Sequence, residues 1–380
     1  MVTLKPVSQL PPEDGGVDGP GALGAEPAGR LRPVGIRDVA ALARVSPATA
    51  SRALNGDRTV HRLMRDRVFA AAERLSYRPN PLARNLRRQR TSAIGVVVAD
   101  IDNPYFSEMV RAVEDEAYRH GYRVLVCNTD EDPKKQAAYL RVLADERVGG
   151  VIISPSDPAG AEIGELLDAS IPVVAFDRAV TDPRADAVVG DNVASVRDAT
   201  QLLVRIGHRT IACVSGWHTV GPSAERQLGY TTAMTDAGLE PITVETNSRI
   251  DGGRKAVTDL MRRTNRPTAL IVANNLMTVG ALAAAREGGI RIPDDLSIIG
   301  VDDPFWAPFT APPLTTIAQP VREMAVSAMD LMMELMNGDR AEPRRVVHRF
   351  ELRWRESAGT IPPGLDVRPG AAVPSDASAR

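Results

Sequence analysis

The sequence has few cysteines and no long apolar stretch. Only two cysteines occur in 380 residues, and both Cys127 and Cys213 lie in apolar runs typical of strands. We therefore expect buried reduced thiols rather than a disulfide. The five histidines do not stand at metal-ligand spacings beside cysteine or aspartate, so no metal and no cofactor is expected. No apolar run approaches the roughly eighteen residues of a membrane span, so no membrane contact is expected.

The two ends of the chain lack the patterns of folded segments. Residues 1–32 are rich in proline and glycine and contain no apolar stretch of the kind found in signal peptides. Residues 359–380 have a similar composition. We predict a disordered tail at each end and a cytoplasmic, nucleoid-associated protein.

Motifs of common enzymes are absent as well. The sequence has no GxxxxGK[ST] loop, no GxSxG turn and no glycine-rich dinucleotide motif after its first strand-like run. His208 precedes a strand-like run and has no nucleophile beside it, so we interpret it as structural. The chain is therefore not expected to be an enzyme, although folds of its class host many enzymes.

Positive charge is concentrated near the N-terminus. The overall net charge is −2, but fifteen arginines and four acidic residues lie between Arg30 and Arg90, which gives this block +11 and leaves −13 for the remainder. A basic block in an acidic chain is typical of proteins with a nucleic-acid partner. A solvated surface explains the charge equally well, so the sequence pattern inside the block has to distinguish between these two explanations.

Two short helices are predicted inside the basic block. The segment VGIRDVAALARV places its apolar residues on one helical face. Ser46 followed by Pro47 is a favourable helix start, and the Asn-Gly pair at 55–56 is a favourable helix end. Two short helices joined by a tight turn in a basic setting predict a helix-turn-helix, which forms a domain over 33–79 together with a third helix.

The second of these helices is predicted to read DNA. Its N-terminal residues would face base edges in the major groove of double-stranded operator DNA. Arg52 can donate to guanine O6 and N7, whereas Thr49 and Ser51 can reach phosphates. The residues predicted to contact DNA in this region are Ser46, Pro47, Ala48, Thr49, Ser51, Arg52 and Asn55.

Strand-like and helix-like segments alternate from Ala93 onward. AIGVVVAD, RVLVCNTD and GGVIISPS are strand-like, and helical stretches such as PYFSEMVRAVEDEAYRHG lie between most of the strands. This alternation predicts parallel sheets with helices on both faces, one sheet on each side of about Gly190. The predicted fold class is therefore an all-α head followed by a two-lobed α/β domain with two doubly wound sheets over 91–358.

Polar and aromatic residues follow many of the predicted strands, where ligands of such folds bind. Carboxylates, amides and arginine bind hydroxyl groups, while aromatic rings cover the C–H face of a sugar. These residues predict a cleft for a sugar or nucleoside, although about half of the strand-end residues are expected to serve turns instead. The predicted effector-binding residues are Tyr105, Phe106, Asp130, Ser154, Phe176, Arg178, Trp217, Arg226, Asn275, Asp303 and Trp306.

Several separate motifs resemble one family of bacterial regulators. IRDVAALARVSPATASRALNG is followed by LSYRPNPLARNLR, then by IGVVVADIDNPYF and finally by ELRWRES. In this order they resemble the lactose-repressor (LacI/GalR) family over roughly residues 34–357. The resemblance implies a periplasmic-binding-protein-like domain, with an N-lobe at about 91–190 and 319–342 and a C-lobe at about 191–318 and 343–358.

The resemblance also implies a hinge helix at 80–90 that folds on operator DNA. Its leucine, Leu86, would wedge between base steps in the minor groove and kink the duplex. The other residues predicted along this groove are Asn80, Ala83 and Arg84.

The sequence departs from the family pattern at four places. Gly35 stands where a phosphate-binding hydroxyl is usual, and His61 stands at a helix start where serine or threonine is usual, which predicts a weaker cap. Asn275 replaces the usual aspartate among the effector contacts that Phe106, Arg226 and Asp303 otherwise match. The segment TNSRIDGG lacks the usual aromatic residue, which Trp217 or Trp306 would have to supply.

These observations predict a sequence-specific DNA-binding regulator, by family default a repressor. It would bind a palindromic operator as a homodimer, under control of a small-molecule effector, with a sugar or sugar derivative favoured. A nucleoside or nucleobase effector and a ligand-activated regulator remain open. A transport-type sugar-binding protein is a further rival, which the basic head and the missing signal peptide disfavour.

Overall fold

The computed structural model describes residues 34–54, 59–75, 77, 91–339 and 342–360. The chain divides into two compact units, with the division between Arg84 and Asn85. The predicted hinge helix with Asn80, Ala83, Arg84 and Leu86 lies outside the described residues, as do Asn55 and the predicted N-terminal tail. The predicted start of the C-terminal tail at residue 359 is too early in the chain. Gly359 still contacts the folded unit, because its carbonyl accepts a hydrogen bond from His208 Nε2 at 2.9 Å.

The first unit contains three helices, as predicted: α1 (Ile36–Ala43), α2 (Pro47–Leu54) and α3 (Arg62–Arg74). Their apolar faces meet in a small core, because the spacing of the apolar residues places them on one side of each helix. The fully buried members of this core include Val39, Ala50, Ala53 and Val68. Most of these side chains are alanine and valine, so the helices pack closely.

The starts of α2 and α3 have the caps that the sequence predicts. Ser46 Oγ accepts a hydrogen bond from the Thr49 backbone N–H at 3.0 Å, which satisfies one free donor at the start of α2. His61 Nδ1 accepts from the Leu63 backbone N–H at 3.4 Å, a long and therefore weak bond. The predicted weakness of the third cap is thus what the structure shows.

The second unit consists of two lobes, each built on a six-stranded sheet. The N-lobe sheet has the order β11-β5-β4-β3-β1-β2 and is parallel throughout. Its strands are β1 (Ala93–Val98), β2 (Arg123–Asn128), β3 (Gly150–Ile153), β4 (Val173–Phe176), β5 (Asp186–Gly190) and β11 (Arg345–His348). Its helices are α4 (Pro104–Arg119), α5 (Pro133–Asp145), α6 (Ala161–Asp168) and α11 (Val321–Asn337).

The C-lobe sheet has the order β12-β10-β9-β8-β6-β7, and only β12 runs antiparallel to its neighbour. Its strands are β6 (Ile211–Gly216), β7 (Ile242–Thr246), β8 (Ala269–Val272), β9 (Ser297–Val301), β10 (Thr315–Ala318) and β12 (Glu351–Arg353). Its helices are α7 (Asn192–Arg205), α8 (Gly221–Asp236), α9 (Ile250–Met261) and α10 (Asn275–Glu287), with a short 3₁₀ turn at Ala307–Phe309.

The chain crosses between the lobes three times, after β5, after β10 and after β11. The predicted boundary that assigned 343–358 to the C-lobe is therefore wrong in part. β11 pairs with β5 in the N-lobe sheet, for example Val347 with Val189, and the chain returns to the C-lobe only at β12. Both strands are short, so their sequences carry little periodicity to assign them to a lobe.

The N-lobe core explains the methionine-rich sequence of α11. Met324, Met329 and Met332 are buried against β1, β3 and β4 together with Met109 of α4. Flexible thioether side chains fill irregular gaps between two helices and a sheet. Within the part of the chain that the structure describes, no helix is long and apolar enough to cross a membrane.

Two glycines allow α9 and α10 to pack backbone to backbone. A Cβ added to Gly280 would lie 2.1 Å from the Ile250 carbonyl oxygen, and one added to Gly253 would lie 2.3 Å from the Met277 carbonyl oxygen. Both distances are far below van der Waals contact, and backbone atoms cannot move aside as a flexible side chain can. These helices cover the C-lobe sheet and carry cleft residues at their N-termini.

Replacing Gly280 by alanine is expected to lower the free energy of unfolding by about 1–2 kcal/mol, because overpacking outweighs the gain in helix propensity. Gly164→Ala in α6 is the matched control, since its Cβ would meet Arg184 Nη2 at an ordinary 3.6 Å. The control is expected to be neutral or slightly stabilising. Urea denaturation of both variants measures the difference in stability. Equal stability would show that α9 and α10 can move apart enough to accommodate the added methyl group without cost.

Candidate DNA-binding face and effector cleft

The exposed side of α2 carries most of the residues predicted to contact DNA. Ala50 and Ala53 are fully buried, which turns the opposite side of the helix towards solvent. Pro47, Ala48 and Arg52 are exposed on that side. The two predicted phosphate ligands, Thr49 and Ser51, are half-buried, and Ser46 is exposed while its hydroxyl caps the helix.

Not all of the positive charge in this unit is available to a partner. The Arg67 guanidinium donates to the carbonyl oxygens of Ala43 and Arg44, so it closes the C-terminal end of α1. Arg52, by contrast, has no hydrogen bond or ion pair with another residue of the described ranges. Its guanidinium is therefore free to meet an external acceptor.

A cavity of about 420 Å³ lies between the two lobes of the second unit, at the carboxyl ends of the strands. Its size is within the range of small-molecule sites in proteins. The N-lobe wall includes Asp100, Tyr105, Phe106, Asp130, Glu131 and Arg178. The C-lobe wall includes Trp217, Arg226, Asn247, Arg249, Asn274 and Asp302, and Gln319 lies on the crossover after β10.

Three of the cleft carboxylates leave their strands in the left-handed backbone region. Asp130, Asp177 and Asp302 have φ values of 54°, 66° and 75°. Aspartate tolerates this region better than most residues do, and such positions cluster at ligand sites. The reversal of the backbone breaks the alternation of the strand and turns these side chains towards the cavity.

The N-lobe wall is built around a buried tyrosine and aspartate. Tyr105 donates its hydroxyl to Asp177 Oδ1 at 3.2 Å, and its ring meets the edge of Phe106 at a centroid distance of 5.2 Å. Burial raises the pKa of Asp177, although the nearby Arg226 and Arg178 guanidinium groups oppose this shift. Burial also raises the pKa of Tyr105, so it stays a neutral donor.

Arg178 closes one side of the N-lobe wall. It forms a bidentate ion pair with Glu131, with distances of 2.6 and 2.7 Å, and donates to the Pro155 carbonyl at 3.2 Å. Its Nε is buried and has no hydrogen-bond partner in the described structure. Asp177 Oδ2 lies 3.8 Å from this Nε, which is an ion pair but too long for a hydrogen bond.

Arg226 is the principal cation of the C-lobe wall. It lies on α8 and is only 7% exposed. Its Nε donates to Asn192 Oδ1 at 2.7 Å, and its Nη1 donates to the Ala273 carbonyl at 2.6 Å. These two bonds fix the plane of the guanidinium, so its remaining donors are preorganised on the cleft side.

Two polar contacts join the lobes directly across the cleft. Asn275 Nδ2 donates to Asn103 Oδ1 at 2.8 Å, and Arg249 Nη1 lies 3.4 Å from Asp100 Oδ2. Asn275 Nδ2 also contacts Asp302 Oδ2 at 2.9 Å, and Gln319 holds the other oxygen of Asp302 at 2.7 Å. The cavity is thus bounded by residues whose positions depend on how the lobes close.

The structure brings six of the eleven predicted effector residues to the cavity wall: Tyr105, Phe106, Asp130, Arg178, Trp217 and Arg226. The other five predicted effector residues do not line the cavity. Phe176 lies in the N-lobe core and Ser154 is fully buried, and neither lines the cavity. Trp306 packs against the C-lobe core.

The remaining two corrections concern Asn275 and Asp303. Asn275 is buried behind the wall, where it joins Asn103 to Asp302. The Asp303 carboxylate is instead bound by Arg355 at 2.7 and 3.1 Å, by Thr316 and by Arg353. Although burial opposes them, these hydrogen bonds lower the pKa of Asp303. The carboxylate that faces the cavity is its neighbour, Asp302.

Several cleft residues were not among the predicted effector-binding residues. Asp302 directly follows β9 and is adjacent to Asp303, which was predicted. Its place at the end of a strand is the sequence signal that could have identified it. Arg249 and Asn247 come from the TNSRIDGG segment, whose missing aromatic ring is replaced by polar side chains. Trp217, 52% exposed, is the aromatic side chain on the C-lobe wall among the lining residues that the structure describes.

Comparison with known proteins shows matches to both units. A model of bacterial regulatory proteins of the lacI family matches residues 35–80, and a model of periplasmic binding proteins and the sugar-binding domain of the LacI family matches residues 91–353. The chain is 35% identical to the HTH-type transcriptional repressor PurR of Vibrio campbellii over 323 residues, which is 84% of this chain and 95% of the relative.

Solved structures agree with these matches. The Lac repressor dimer bound to operator and the anti-inducer ONPF is similar with a TM-score of 0.76 and 27% identity, covering 87% of this chain and all of that one. A complex of the transcriptional regulator CelR with cellobiose has a TM-score of 0.65 and 29% identity, covering 86% and 100%. The chain therefore belongs to the LacI family, and it is a DNA-binding transcriptional regulator with an effector-binding domain, not an enzyme.

Proposed function

We propose that this protein binds a two-fold symmetric operator as a homodimer and that a carbohydrate in the interlobe cleft controls the binding. One α2 helix would enter the major groove of each half-site, with Pro47, Ala48 and Arg52 towards the bases. Two identical readers on one palindrome require two-fold symmetry, and the similar Lac repressor structure is a dimer. Binding to chromosomal operators implies a cytoplasmic, nucleoid-associated protein.

The residues at 80–90 would complete the DNA contact. We propose that Leu86 wedges into the central minor groove, with Asn80, Ala83 and Arg84 along it, as the family resemblance implies. Ser46, Thr49, Ser51 and Asn55 would position α2 through phosphate contacts, which fix register without reading sequence.

The observation that carries the carbohydrate proposal is a pair of unsatisfied polar atoms on two residues that line the cleft. Arg178 Nε is a buried donor and Gln319 Oε1 is a buried acceptor, and neither has a hydrogen-bond partner in the described structure, although Nε lies 3.8 Å from Asp177 Oδ2. Buried polar atoms of this kind are rare unless a ligand or water completes them. A hydroxyl group both donates and accepts, so a polyhydroxylated ligand satisfies both types of atom.

The remaining wall chemistry agrees with a sugar. Arg226 offers donors, Asp130 and Asp302 offer acceptors, and the Tyr105, Phe106 and Trp217 rings offer apolar faces to C–H groups. A ligand that bonds both walls would change how the lobes close, and operator affinity would change with it. The direction of that change distinguishes an inducer from a corepressor.

A thermal-shift screen of the full chain, confirmed by calorimetry, tests the effector class. The panel contains pentoses, hexoses, disaccharides, nucleosides and nucleobases. We expect at least one carbohydrate to raise Tm, because a ligand at roughly a hundred times its Kd adds about 2.7 kcal/mol to the free energy of unfolding. Binding of only nucleosides or nucleobases, or of no carbohydrate at all, would overturn the proposed class.

A further inference from the structure

A groove of about 340 Å³ lies on the C-lobe, apart from the interlobe cleft. Its walls come from α7, β10, β12 and the chain segment that leads from β11 to β12. None of the residues that line this groove also lines the cleft. Its volume is within the range of small-molecule sites in proteins. We call it the crossover groove, because it lies where the chain passes between the lobes.

The position of the crossover groove is set by two of the three crossovers. Arg349 and Phe350 line the groove and form the third crossover, between β11 and β12. The Phe350 ring packs directly on Gly190 at the end of β5, where an added Cβ would collide with it. The Asp191 backbone N–H, in the first crossover, donates to the His348 carbonyl at 2.8 Å. A molecule in this groove would therefore contact a segment that joins the lobes.

Two arginines provide the positive charge of the crossover groove. Arg205 and Arg349 both line it, and both are exposed. Neither has a hydrogen bond or an ion pair with another residue of the described ranges. Asp198 is the carboxylate among the lining residues, and it pairs instead with Arg197 at 3.3 Å. Two guanidinium groups without a partner carboxylate at one cavity favour an oxyanion as the ligand.

The base of the crossover groove is apolar. Ile317 is fully buried there, and Leu202, Phe350 and Leu352 are half-buried, so part of each side chain still faces the groove. An aliphatic or aromatic body placed against these side chains removes apolar surface from water on both partners. The Ser195 hydroxyl already donates to the backbone at 2.6 Å, so it offers no free donor to a hydroxylated ligand. The groove therefore favours a body made of carbon over a sugar.

We propose that the crossover groove binds a small organic anion with an apolar body, whose head is a carboxylate or a phosphate ester. Arg205 and Arg349 hold the oxyanion through charge-assisted hydrogen bonds, and Leu202 and Phe350 cover the body. This inference does not depend on the proposed carbohydrate effector, because the cleft and the groove are lined by different residues.

The first part of the test compares ligands by calorimetric titration of the full chain. The probes are phenylpropionate, hexanoate and phenyl phosphate. Acetate and inorganic phosphate carry the charge without the body, benzyl alcohol carries the body without the charge, and glycerol phosphate has a polar body. We expect at least one probe to bind about tenfold or more tightly than each of these four compounds, because only the probes use both parts of the groove. The comparison of phenylpropionate with phenyl phosphate identifies the preferred head.

The second part of the test uses variants of the groove. Arg205→Gln and Arg349→Gln are each expected to weaken binding of the best probe by about fivefold or more, since each removes a charged donor. Ala194→Leu fills the groove without changing its charge and is expected to weaken binding similarly. Arg286→Gln is the matched control, because Arg286, like Arg205, is exposed in the last turn of a C-lobe helix and has no side-chain partner among the described residues. The control should bind the probe as the unchanged chain does.

Three results would overturn the inference: no probe binds, the charge-only compounds bind as tightly as the probes, or Arg205→Gln and Arg349→Gln bind as tightly as the Arg286→Gln control. The third result would place the anion elsewhere on the protein. None of these results bears on the operator or on the carbohydrate, so failure of this inference is distinguishable from failure of the proposed function.

Discussion

Replacing Arg226 by glutamine is expected to weaken effector binding by about 1.5–3 kcal/mol, which is roughly 10- to 150-fold in affinity. Arg226 is the buried cation of the C-lobe wall, and its plane is fixed by Asn192 and the Ala273 carbonyl. A charged donor that is held in advance loses little freedom when a hydroxyl group binds it. Glutamine keeps a donor but is shorter and uncharged, so the ligand loses a charge-assisted bond.

Calorimetric titration with the carbohydrate that the screen identifies measures this loss. Arg254→Gln is the matched control, because Arg254 lies on the exposed side of α9, pairs with Glu287 and does not line the cleft. Without effector, operator affinity of both variants should equal that of the unchanged chain. An Arg226→Gln variant that binds effector normally would show that the guanidinium serves only the packing of α8.

Replacing Arg52 by alanine is expected to cost about 1–3 kcal/mol of affinity for the specific operator and much less for random duplex DNA. Arg52 is exposed on the reading side of α2 and has no partner among the described residues. A guanidinium that forks onto guanine discriminates between base pairs, whereas one near a phosphate only adds charge.

Arg74→Ala is the control for charge, because Arg74 is exposed in the last turn of α3, outside the reading helix α2. It removes the same charge, so any effect should be similar on operator and on random duplex. Fluorescence anisotropy at fixed salt measures both, since affinity depends steeply on ionic strength. Equal losses on both DNAs for Arg52→Ala would remove this residue from base readout.

The helix-turn-helix was predictable because its signals are local. A serine cap at Ser46, the proline after it and the spacing of buried alanines all lie within one short segment, and the structure places α2 where they indicate. The alternation of strands and helices in the second unit is equally local. The two sheets therefore followed from the sequence, while the short strand β11 did not, because only its pairing with β5 assigns it to the N-lobe.

The cleft was only partly predictable because a wall depends on side-chain direction. Asp302 and Asp303 are adjacent residues of the same type, so the sequence does not distinguish their roles. Asp302 has a left-handed φ of 75° and faces the cavity, whereas Asp303 is bound by Arg355. The contacts between Arg249 and Asp100 and between Asn275 and Asn103 join residues from different lobes. No pattern in the sequence predicts which residue of the other lobe each of these residues will contact.

The central claim is that the cleft and the DNA-binding face are coupled. Its most direct test is the operator affinity of the full chain with and without a saturating concentration of the identified carbohydrate. We predict a change of at least about fivefold, with the operator changing carbohydrate affinity by the same factor, because coupling between two binding sites is reciprocal. Operator affinity that stays constant while the cleft is demonstrably occupied would contradict the account.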